Sequence, residues 1–335
     1  MDNRLKPRFP RLGEFDFIER LLSVPGTPDF PGNLQANDGW MGPGDDCALL
    51  GDWLISTDLS VEGTHFRLDW AKLPSIIEKC VLSNLSDINA KGGITGFVLL
   101  NLCLRRSWNA QIRAQVADVF AEVLSRYKVE ILGGDTVVGD LASFGLTVFG
   151  KCPSGKKPLL RANAMPGHYV YVTGHLGASA AGLWALMHNR TDSGWEKMIH
   201  CHHNPVPPLG LGAELLRLGV EGAAIDISDG LSSELHHICI QSGVGIRIED
   251  DLIPRAEGLI ELCEGANIDP AQFYLHGGEE YQLIFTSSMP PSLLVLELKP
   301  FEVSWIGMVV PEVGVTLVKA NGEKLEMLPG AWSHI

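Results

Sequence analysis

The sequence predicts a two-domain protein that mixes helices and strands, in an α/β or α+β arrangement. The chain has 335 residues, enough for two ordinary domains, and 45% of them are hydrophobic, which supplies two substantial cores. Short apolar runs typical of strands alternate with segments of helical periodicity in both halves. Residues 150–164 are rich in Pro, Gly, Ser and Lys and separate the halves, so we place the domains at 1–152 and 153–335.

The first half is predicted to contain three helices and five strands. The helix at 74–91 follows from Ile77, Val81 and Leu85, which recur at helical spacing before a pair of glycines ends the pattern. The expected helices are residues 15–22, 74–91 and 111–127, the expected strands are 48–50, 53–56, 95–104, 129–132 and 141–149, and 25–44 is expected to be a loop.

The second half repeats the alternation without a fixed-period repeat. The expected strands are residues 169–173, 223–227, 245–249, 281–286, 303–309 and 316–319, the expected helices are 178–187, 209–218 and 231–241, and 273–278 is expected to be a turn.

Charge and cysteine usage exclude several classes of protein. The formal net charge is −14, which argues against nucleic-acid backbones and anionic membranes as main partners. The N-terminus lacks the apolar core of a signal peptide, and the strongest apolar run, near residues 96–104, is too short to span a bilayer. Seven scattered cysteines without a Cys-x-x-Cys pair fit neither a disulfide framework nor a zinc ribbon. These features predict a cytoplasmic protein.

Carboxylates recur where apolar strands run into Gly or Ser. They are Asp45 and Asp46, Asp58, Asp135, Asp226 with Asp229, and Glu279 with Glu280, while Asp87 joins from a helix. Each one alone is a plausible turn residue. Together they predict carboxylates at the ends of adjacent strands, on one edge of a sheet, where α/β proteins place their sites. Several Mg²⁺ ions would neutralise such a cluster and turn it into a phosphate site.

The stretch 54–66 is the clearest example of this pattern. It begins as an apolar strand and then places Ser56, Thr57 and Asp58 together, where we expect the strand to end. Hydroxyl and carboxylate oxygens suit Mg²⁺. The alternative is a turn that begins at Asp58 and is capped by Ser56.

Three other patterns are weaker. Residues 150–156 begin like a Walker A loop, but Lys157 and Pro158 follow where Ser or Thr and a helix are needed. Residues 174–177 lack the full dinucleotide fingerprint. The histidines at 200, 202 and 203 precede Asn-Pro-Val-Pro-Pro, and we expect a solvated loop there instead of a transition-metal site.

Six motifs in order resemble the thiamine-monophosphate kinase family across almost the whole chain. They are Gly-Pro-Gly-Asp-Asp-Cys-Ala48, Ser-Thr-Asp-x3-Glu-Gly-x-His-Phe66, Asn-Leu-Ser-Asp87, Leu-Gly-Gly-Asp-Thr136, Asp-Ile-Ser-Asp-Gly-Leu231 and Gly-Gly-Glu-Glu-Tyr281. The resemblance implies the two-domain fold of the aminoimidazole-ribonucleotide-synthetase-like (PurM-like) superfamily. It also implies a homodimer in which the N-terminal sheets of two subunits pair.

The activity that this resemblance implies is transfer of the ATP γ-phosphate onto thiamine monophosphate, with several Mg²⁺ ions as cofactors. The implied magnesium ligands are Asp46, Ser56, Thr57, Asp58, Asp87, Asp135, Asp226 and Asp229. The implied ATP-binding positions are Tyr127, Gly134, Asp135, Arg161 and Ser228, and the implied substrate positions are His65, Glu279 and Trp332. No residue is assigned as a catalytic acid or base; Asp58, Asp135 and Asp226 are expected to act through Mg²⁺.

Alternatives remain for single residues and for the whole protein. His65 could be a hydrogen-bonded turn residue, and Trp332 an aromatic side chain that docks the C-terminus. The chain could be another ATP-using superfamily member, such as an amidine-forming synthetase, or a non-catalytic nucleotide-binding regulator.

The chain departs from the family pattern at several positions. Glu280 and Gln282 stand in Gly-Gly-Glu-Glu-Tyr-Gln-Leu, where Asp and Glu are usual, and the extra methylene of Glu280 puts the fine geometry of the substrate site in question. Lys91 replaces the usual Met, and Pro208 a common Arg; we expect these two to alter only their surroundings.

Overall fold

The computed structural model describes residues 40–42, 44–192 and 194–330. The predicted helix at 15–22, most of the predicted loop at 25–44 and the predicted substrate residue Trp332 lie outside the described residues. Within that loop, Trp40–Met41 form a short strand that pairs with residues 49–50, so this part of the loop prediction is wrong.

In the part of the first half that the structure describes, a six-stranded sheet packs with two helices. The strands are β1 (Trp40–Met41), β2 (Ala48–Leu50), β3 (Trp53–Val61), β4 (Ile94–Arg105), β5 (Glu130–Gly139) and β6 (Ser143–Lys151), and the helices are α1 (Leu73–Ala90) and α2 (Ala110–Arg126).

The second half folds around a seven-stranded sheet. Its strands are β7 (Tyr169–Thr173), β8 (Ala224–Asp226), β9 (Gly245–Glu249), β10 (Leu283–Ser287), β11 (Val303–Val310), β12 (Gly314–Val318) and β13 (Lys324–Glu326). Its helices are α3 (Ala178–Met187), α4 (Trp195–His203), α5 (Leu211–Arg217), α6 (Leu231–Ser242), α7 (Leu259–Ala266), α8 (Ala271–Tyr274) and α9 (Pro291–Glu297).

Both sheets are mostly antiparallel. The strand orders are β1-β2-β3-β6-β4-β5 and β13-β12-β9-β11-β7-β10-β8. Only β4 with β5 and β9 with β12 pair in parallel among the strands described. Two separate sheets with helices packed on them confirm the predicted mixed α/β class. The antiparallel pairing means, however, that neighbouring strand ends do not all meet at one edge.

Helix α1 lies between the two sheets and is buried along most of its length. Its apolar face packs in the core under the first sheet, where Ile77, Val81 and Ile88 have no exposed surface. In its last turn, Asn89 Oδ1 accepts hydrogen bonds from Gly210 N and Gly212 N in the second half. The helix therefore connects the two sheets rigidly.

The prediction of a solvated loop at residues 200–203 is wrong, because these residues form the last turn of α4. His202 is buried, and its Nδ1 lies 3.2 Å from Ser179 Oγ of α3. The helix ends at His203, because the next residue, Asn204, precedes Pro205 and a residue before proline disfavours helical geometry. The Pro-rich stretch thus marks the end of a helix.

The seven cysteines are all described and all free, and four of them, Cys47, Cys80, Cys239 and Cys263, are buried. This agrees with their predicted role as small core residues. Among the residues described, no helix is both long and apolar enough to cross a membrane.

Candidate active site

The polar stretch at residues 56–58 lies inside β3, which continues to Val61 and does not end at Asp58 as predicted. Side chains alternate between the two faces of a strand, so Ser56 and Asp58 face α1 while Thr57 points to the opposite face. There, Thr57 Oγ1 donates a hydrogen bond to Leu146 O at 3.0 Å. The three residues therefore do not converge on one point.

The α1 face of β3 is joined to the helix by polar contacts. Ser56 Oγ donates a hydrogen bond of 2.5 Å to Asp87 Oδ2, and Asp58 N donates one of 3.2 Å to Asn84 Oδ1. Asp87 lies near the C-terminus of α1, where a negative charge opposes the helix dipole. The hydroxyl of Ser56 offsets part of that cost.

The second sheet contributes Asp226, the last residue of β8. This side chain is buried, and its Oδ2 accepts a hydrogen bond of 2.6 Å from Ser86 Oγ of α1. Asp229 follows in the turn before α6. The carboxylates of Asp46, Asp58, Asp87 and Asp226, which we call the acidic cluster, thus come from both halves of the chain.

The members of the acidic cluster repel one another. Burial raises the pKa of Asp87 well above its usual value, and the negative charges of Asp226, Asp58 and Asp46 raise it further. Burial and Asp46 similarly raise the pKa of Asp226 to about 7. Asp58 has an exposed side chain. Its pKa is raised nevertheless, first by desolvation from the surrounding protein atoms and then by the negative charge of Asp229. Without cations, the cluster holds more negative charge than its surroundings stabilise.

Two basic side chains bind at one side of the cluster. Lys91, the residue after α1, has no exposed side-chain surface, and its Nζ lies 2.5 Å from Asp45 Oδ1 and 2.9 Å from Asp46 Oδ2. Arg161 Nε donates a hydrogen bond of 2.9 Å to Asp46 Oδ1. Burial would raise the pKa of Asp46, but Arg161 and Lys91 outweigh it, so the net pKa is lowered.

Asp135 does not lie with the acidic cluster. The pairing register places Asp58 in one row with Gly134, three strand spacings or roughly 14 Å away along the sheet. Asp135 itself shares a row with Asn101 and Leu59, on the face opposite to Asp58. The expectation that all the carboxylates gather on one sheet edge is therefore wrong for Asp135, because it occupies the middle of an edge strand.

The Gly-Gly pair before Asp135 has a structural reason in addition to its predicted role. Gly134 has a φ of +147°, and a Cβ there would lie 1.8 Å from Leu100 O of β4. The β4–β5 register shifts next to the pair, between Val98 and Leu99. Only glycine permits this close approach of the two backbones.

The remaining predicted nucleotide residues lie apart from one another. Ser228 is exposed before α6, and its Oγ donates a 3.3 Å hydrogen bond to Glu234 Oε1. Tyr127 follows α2, and its hydroxyl donates a 3.2 Å hydrogen bond to Glu78 on the first turns of α1. That places Tyr127 about two helical turns away from Asp87.

The predicted substrate residue Glu279 belongs to a separate polar group. Its Oε1 lies 3.1 Å from Lys79 Nζ of α1, and its Oε2 lies 3.5 Å from His202 Nδ1 of α4. Glu279 and Tyr281 have φ values of +59° and +52°, which non-glycine residues rarely adopt. Such strain persists where the surroundings impose it and is frequent at functional sites.

His65 forms a tight turn after β3. Its Nδ1 accepts a 3.1 Å hydrogen bond from Val61 N, and its own N–H donates to Val61 O at 2.9 Å. These hydrogen bonds match the alternative that His65 is a turn residue. A role of His65 in binding the substrate stays a prediction.

The two unusual residues of the last motif point away from Glu279. Glu280 is buried, and its Oε1 accepts hydrogen bonds from Gly177 N and Ser179 N at the start of α3. Gln282 accepts a hydrogen bond from Thr173 Oγ1 at 2.8 Å. The extra methylene of Glu280 thus serves to reach a helix N-terminus.

The donor set fits Mg²⁺, although it is not a closed cage. Among the residues described, no three His, Cys, Asp or Glu side chains converge closely enough to hold one metal ion. Mg²⁺ is commonly held by one or two carboxylates, with water and substrate phosphates as the other ligands. Asp58, Asp87 and Asp226 supply carboxylate oxygens of this kind, near enough to one another for their charges to interact.

Sequence reasoning missed Lys79 and Lys91 as members of these groups. A signal for Lys91 was present, since it follows Ile88 by three residues and continues the apolar stripe of α1. Lys79 has no such signal, because its partner Glu279 is 200 positions away in the sequence.

Comparison with known proteins identifies the family. The family model of the AIR synthase related protein, N-terminal domain, matches residues 44–152. Thiamine-monophosphate kinase of Salmonella typhimurium is 38% identical over 254 residues, which cover 73% of this chain and 75% of that protein. The Mycobacterium tuberculosis enzyme of the same name is 34% identical over 284 residues, covering 83% and 81% of the two chains. The chain belongs to the thiamine-monophosphate kinase family.

Solved structures agree with this assignment. A structure of AaThiL complexed with AMPPCP and TMP matches with a TM-score of 0.80 and 26% identity, covering 99% of this chain and 100% of that one. The hydrogenase maturation protein HypE of E. coli matches with a TM-score of 0.69 at 20% identity, covering 84% and 87%. The likeness to HypE shows that the fold extends beyond the thiamine-monophosphate kinase family.

Proposed function

We propose that the protein is a Mg²⁺-dependent kinase that transfers the γ-phosphate of ATP directly to thiamine monophosphate, giving thiamine diphosphate and ADP. Family membership supports the acceptor, and the AMPPCP and TMP bound to AaThiL support this pair of reactants. The observation that carries the proposal is the acidic cluster, in which carboxylates from both halves of the chain crowd together without enough positive charge.

Magnesium is proposed to bind at Asp58, Asp87 and Asp226. Ser56, Thr57, Asp135 and Asp229 are further proposed ligand positions, those away from the cluster for separate ions. Asp46 is the predicted position whose charge Lys91 and Arg161 already balance. When bound, Mg²⁺ would neutralise phosphate charge and stabilise the attacking and leaving oxygens. The protein's own task is to hold these carboxylates in place, which Ser56 and Ser86 do through short hydrogen bonds.

The proposed reaction needs alignment more than acid–base chemistry. A terminal phosphate oxygen of thiamine monophosphate attacks the γ-phosphorus of ATP, and the bond from that phosphorus to the bridging oxygen of ADP breaks. The attacking oxygen already carries negative charge, so we assign no catalytic base. Alignment of two bound reactants is worth about 7–11 kcal/mol at the upper end.

The two reactants are proposed to approach the acidic cluster from different sides. Gly134, Asp135, Arg161, Ser228 and Tyr127 are the proposed nucleotide positions. Arg161 uses two of its five N–H groups on Asp46, which leaves others for a phosphate. His65, Glu279 and Trp332 are the proposed substrate positions. Lys79, which pairs with Glu279 at 3.1 Å, is a second positive group on that side.

The proposed domains, 1–152 and 153–335, are supported by the separation of the two sheets, since β6 ends at Lys151 and β7 begins at Tyr169. We also propose a homodimer that pairs through the N-terminal sheet. The edge strand β5 exposes four aliphatic side chains, namely Ile131, Leu132, Val137 and Val138. An exposed apolar edge strand is a template for pairing with another chain.

A cytoplasmic location completes the proposal. Seven free cysteines, four of them buried, suit a reducing compartment.

A direct assay tests the proposed reaction. Purified protein is incubated with ATP, Mg²⁺ and thiamine monophosphate, and thiamine diphosphate is followed by chromatography. We expect one ADP for each thiamine diphosphate formed. ADP that appears only with a different acceptor would indicate another superfamily activity. Bound ATP without any product would indicate a regulator.

Substitution in β5 tests the dimer. We expect Val137→Asp to shift the protein toward monomer in sedimentation equilibrium, because a charge on an apolar interface is costly to bury. Val313→Asp is the matched control, since Val313 is 76% exposed in a loop of the second half. Equal dimer stability in both variants would contradict pairing through β5.

A further inference from the structure

Lys91 is a lysine placed where soluble proteins rarely place one. Its side chain has no exposed surface, and it follows a helix whose neighbouring residues are buried. Its ammonium meets three oxygens: Asp45 Oδ1 at 2.5 Å, Asp46 Oδ2 at 2.9 Å and the backbone carbonyl oxygen of Ala224 at 2.5 Å. These come from the loop before β2 and from β8 of the second sheet.

The three oxygens form a cage suited to a cation. Two carboxylates and one carbonyl are hard oxygen ligands of the kind that divalent ions take in proteins. An ammonium has three N–H groups and no acceptor, so the Lys91 side chain can supply the positive charge at this point. Asp46 Oδ2 is buried and lies 2.9 Å from Nζ, and no other hydrogen-bond donor among the described residues reaches it. The Lys91 ammonium is therefore the cation that this oxygen faces.

The members of the cage are fixed independently of Lys91. Asp45 Oδ2 accepts a 2.9 Å hydrogen bond from Arg161 N, and Asp46 Oδ1 accepts one of 2.9 Å from Arg161 Nε. Ala224 belongs to β8, which pairs with β10. Loss of the ammonium would thus leave the oxygens in position and short of one positive charge.

We propose that the Lys91 ammonium is a built-in cation that fills a site which would otherwise bind a divalent metal ion. This inference rests on the proposed function in one respect, the use of exchangeable Mg²⁺ at the neighbouring carboxylates. The exchangeable ions then bind at Asp58, Asp87 and Asp226, whereas Asp46 is neutralised permanently by Lys91 and Arg161. Lys91 is a positioning residue, because it acts on Asp45 and Asp46 and joins them to the second sheet.

Counting bound Mn²⁺ tests this assignment without reference to turnover. Wild-type protein, Lys91→Met and the double variant Asp45→Asn/Lys91→Met are freed of metal with a chelator. They are then titrated with Mn²⁺ in the absence of nucleotide, and free Mn²⁺ is measured by electron paramagnetic resonance. Methionine has a similar length and no charge. We expect Lys91→Met to bind one more Mn²⁺ per chain than wild type, and the double variant to return to the wild-type number.

The outcomes separate this proposal from the proposed reaction. Equal Mn²⁺ binding by wild type and Lys91→Met would overturn the role of Lys91, whatever the activity of the enzyme. Absence of thiamine diphosphate formation by wild type would overturn the reaction and leave the ion count intact.

A folding measurement covers the case in which Lys91→Met is unstable without metal. Thermal unfolding of wild type, Lys91→Met and the exposed-site control Lys197→Met is followed with and without Mn²⁺. We expect Mn²⁺ to raise the Tm of Lys91→Met by more than it raises the Tm of the other two. Equal shifts in all three proteins would overturn the proposal.

Discussion

The acidic cluster and the adjoining Asp45 divide into two sides that differ in how their negative charge is balanced. On one side, Asp45 and Asp46 contact Lys91 and Arg161, and the pKa of Asp46 is lowered although burial alone would raise it. On the other side, the carboxylates of Asp87 and Asp226 accept hydrogen bonds from the hydroxyls of Ser56 and Ser86, and burial with neighbouring carboxylates raises the pKa of each.

This difference separates a structural role from a binding role within a single group of neighbouring carboxylates. The side with its own cations is complete without ligands and holds the two sheets together. The side without them is unfavourable until positive charge arrives, so it is prepared to bind cations and, with them, phosphates. The same type of side chain therefore serves two purposes, according to whether a base lies beside it.

The largest expected effect comes from removing one of the unbalanced charges. Asp87→Asn should lower kcat/KM by at least about a hundredfold, as loss of a group that stabilises transition-state charge does. The same change should raise the free energy of unfolding without metal, because it removes a buried charge that the neighbouring carboxylates repel. Steady-state kinetics and urea unfolding at pH 8 with a chelator measure both.

The control for this prediction is Glu257→Gln, which alters a carboxylate that is 87% exposed and paired with Lys197. It should leave kinetics and stability unchanged. If Asp87→Asn lowered both kcat/KM and the free energy of unfolding, Asp87 would belong to the structural side of the cluster.

Asp135 offers a different combination of effects. Asp135→Asn should lower turnover by about tenfold or more if Asp135 holds magnesium, since one ligand is lost. Stability without metal should stay within about 0.5 kcal/mol of wild type, because Asp135 is exposed on β5. The same two assays apply. Near-normal turnover would remove Asp135 from the proposed site.

The balanced side should show the opposite response to substitution. Lys91→Met should lower the free energy of unfolding in metal-free buffer by about 3 kcal/mol, because it leaves buried carboxylates without a partner. Lys197→Met, whose side chain is 59% exposed, should cost less than about 1 kcal/mol. Urea unfolding measures both. A loss for Lys91→Met no larger than that for Lys197→Met would show that the two sides do not differ in this way.

Glu280 lies outside the acidic cluster, so its raised pKa shows the effect of burial apart from repulsion among the cluster's carboxylates. Burial raises its pKa to about 7, against the lowering effect of hydrogen bonds from two backbone amides. Since the folded state binds the proton more tightly than the unfolded state, this group's contribution to stability is lost as pH rises from about 4.5 toward 7. Glu280→Gln keeps the acceptor oxygen and removes the titration.

We therefore expect Glu280→Gln to reduce the fall in Tm between pH 5 and pH 8 by about 3–6 °C, compared with wild type. Thermal unfolding at the two pH values provides the measurement. An unchanged pH dependence would show that the carboxyl group of Glu280 titrates at its ordinary value.

Local patterns predicted most of the elements and part of the site. The spacing of Ile77, Val81 and Leu85 located α1, and the strand at residues 169–173 and the helix at 178–187 have the observed bounds. The carboxylates at the ends of α1 and β8 were also anticipated as neighbours. These features depend on periodicity and on short-range turn chemistry, both of which are visible in one sequence.

The rest depends on pairing that the sequence does not display. The face on which Asp135 lies follows from the register of four strands and from a shift at the glycine pair. The partners of Lys91 come from positions 46 residues before it and 133 residues after it. Lys91 was expected only to alter its surroundings, and the packing of α1 shows that it is internal and paired with both halves of the chain.

Helix α1 acts as a fixed spacer across the molecule. It presents Lys79 to one polar group and Asp87 to the other, eight residues or about 12 Å apart at 1.5 Å per residue. One inserted residue between them would turn everything beyond it by about 100°, so that Ser86, Asp87 and Lys91 would all lose their partners at once. Changes in length should therefore be tolerated in the surrounding loops and not in this segment.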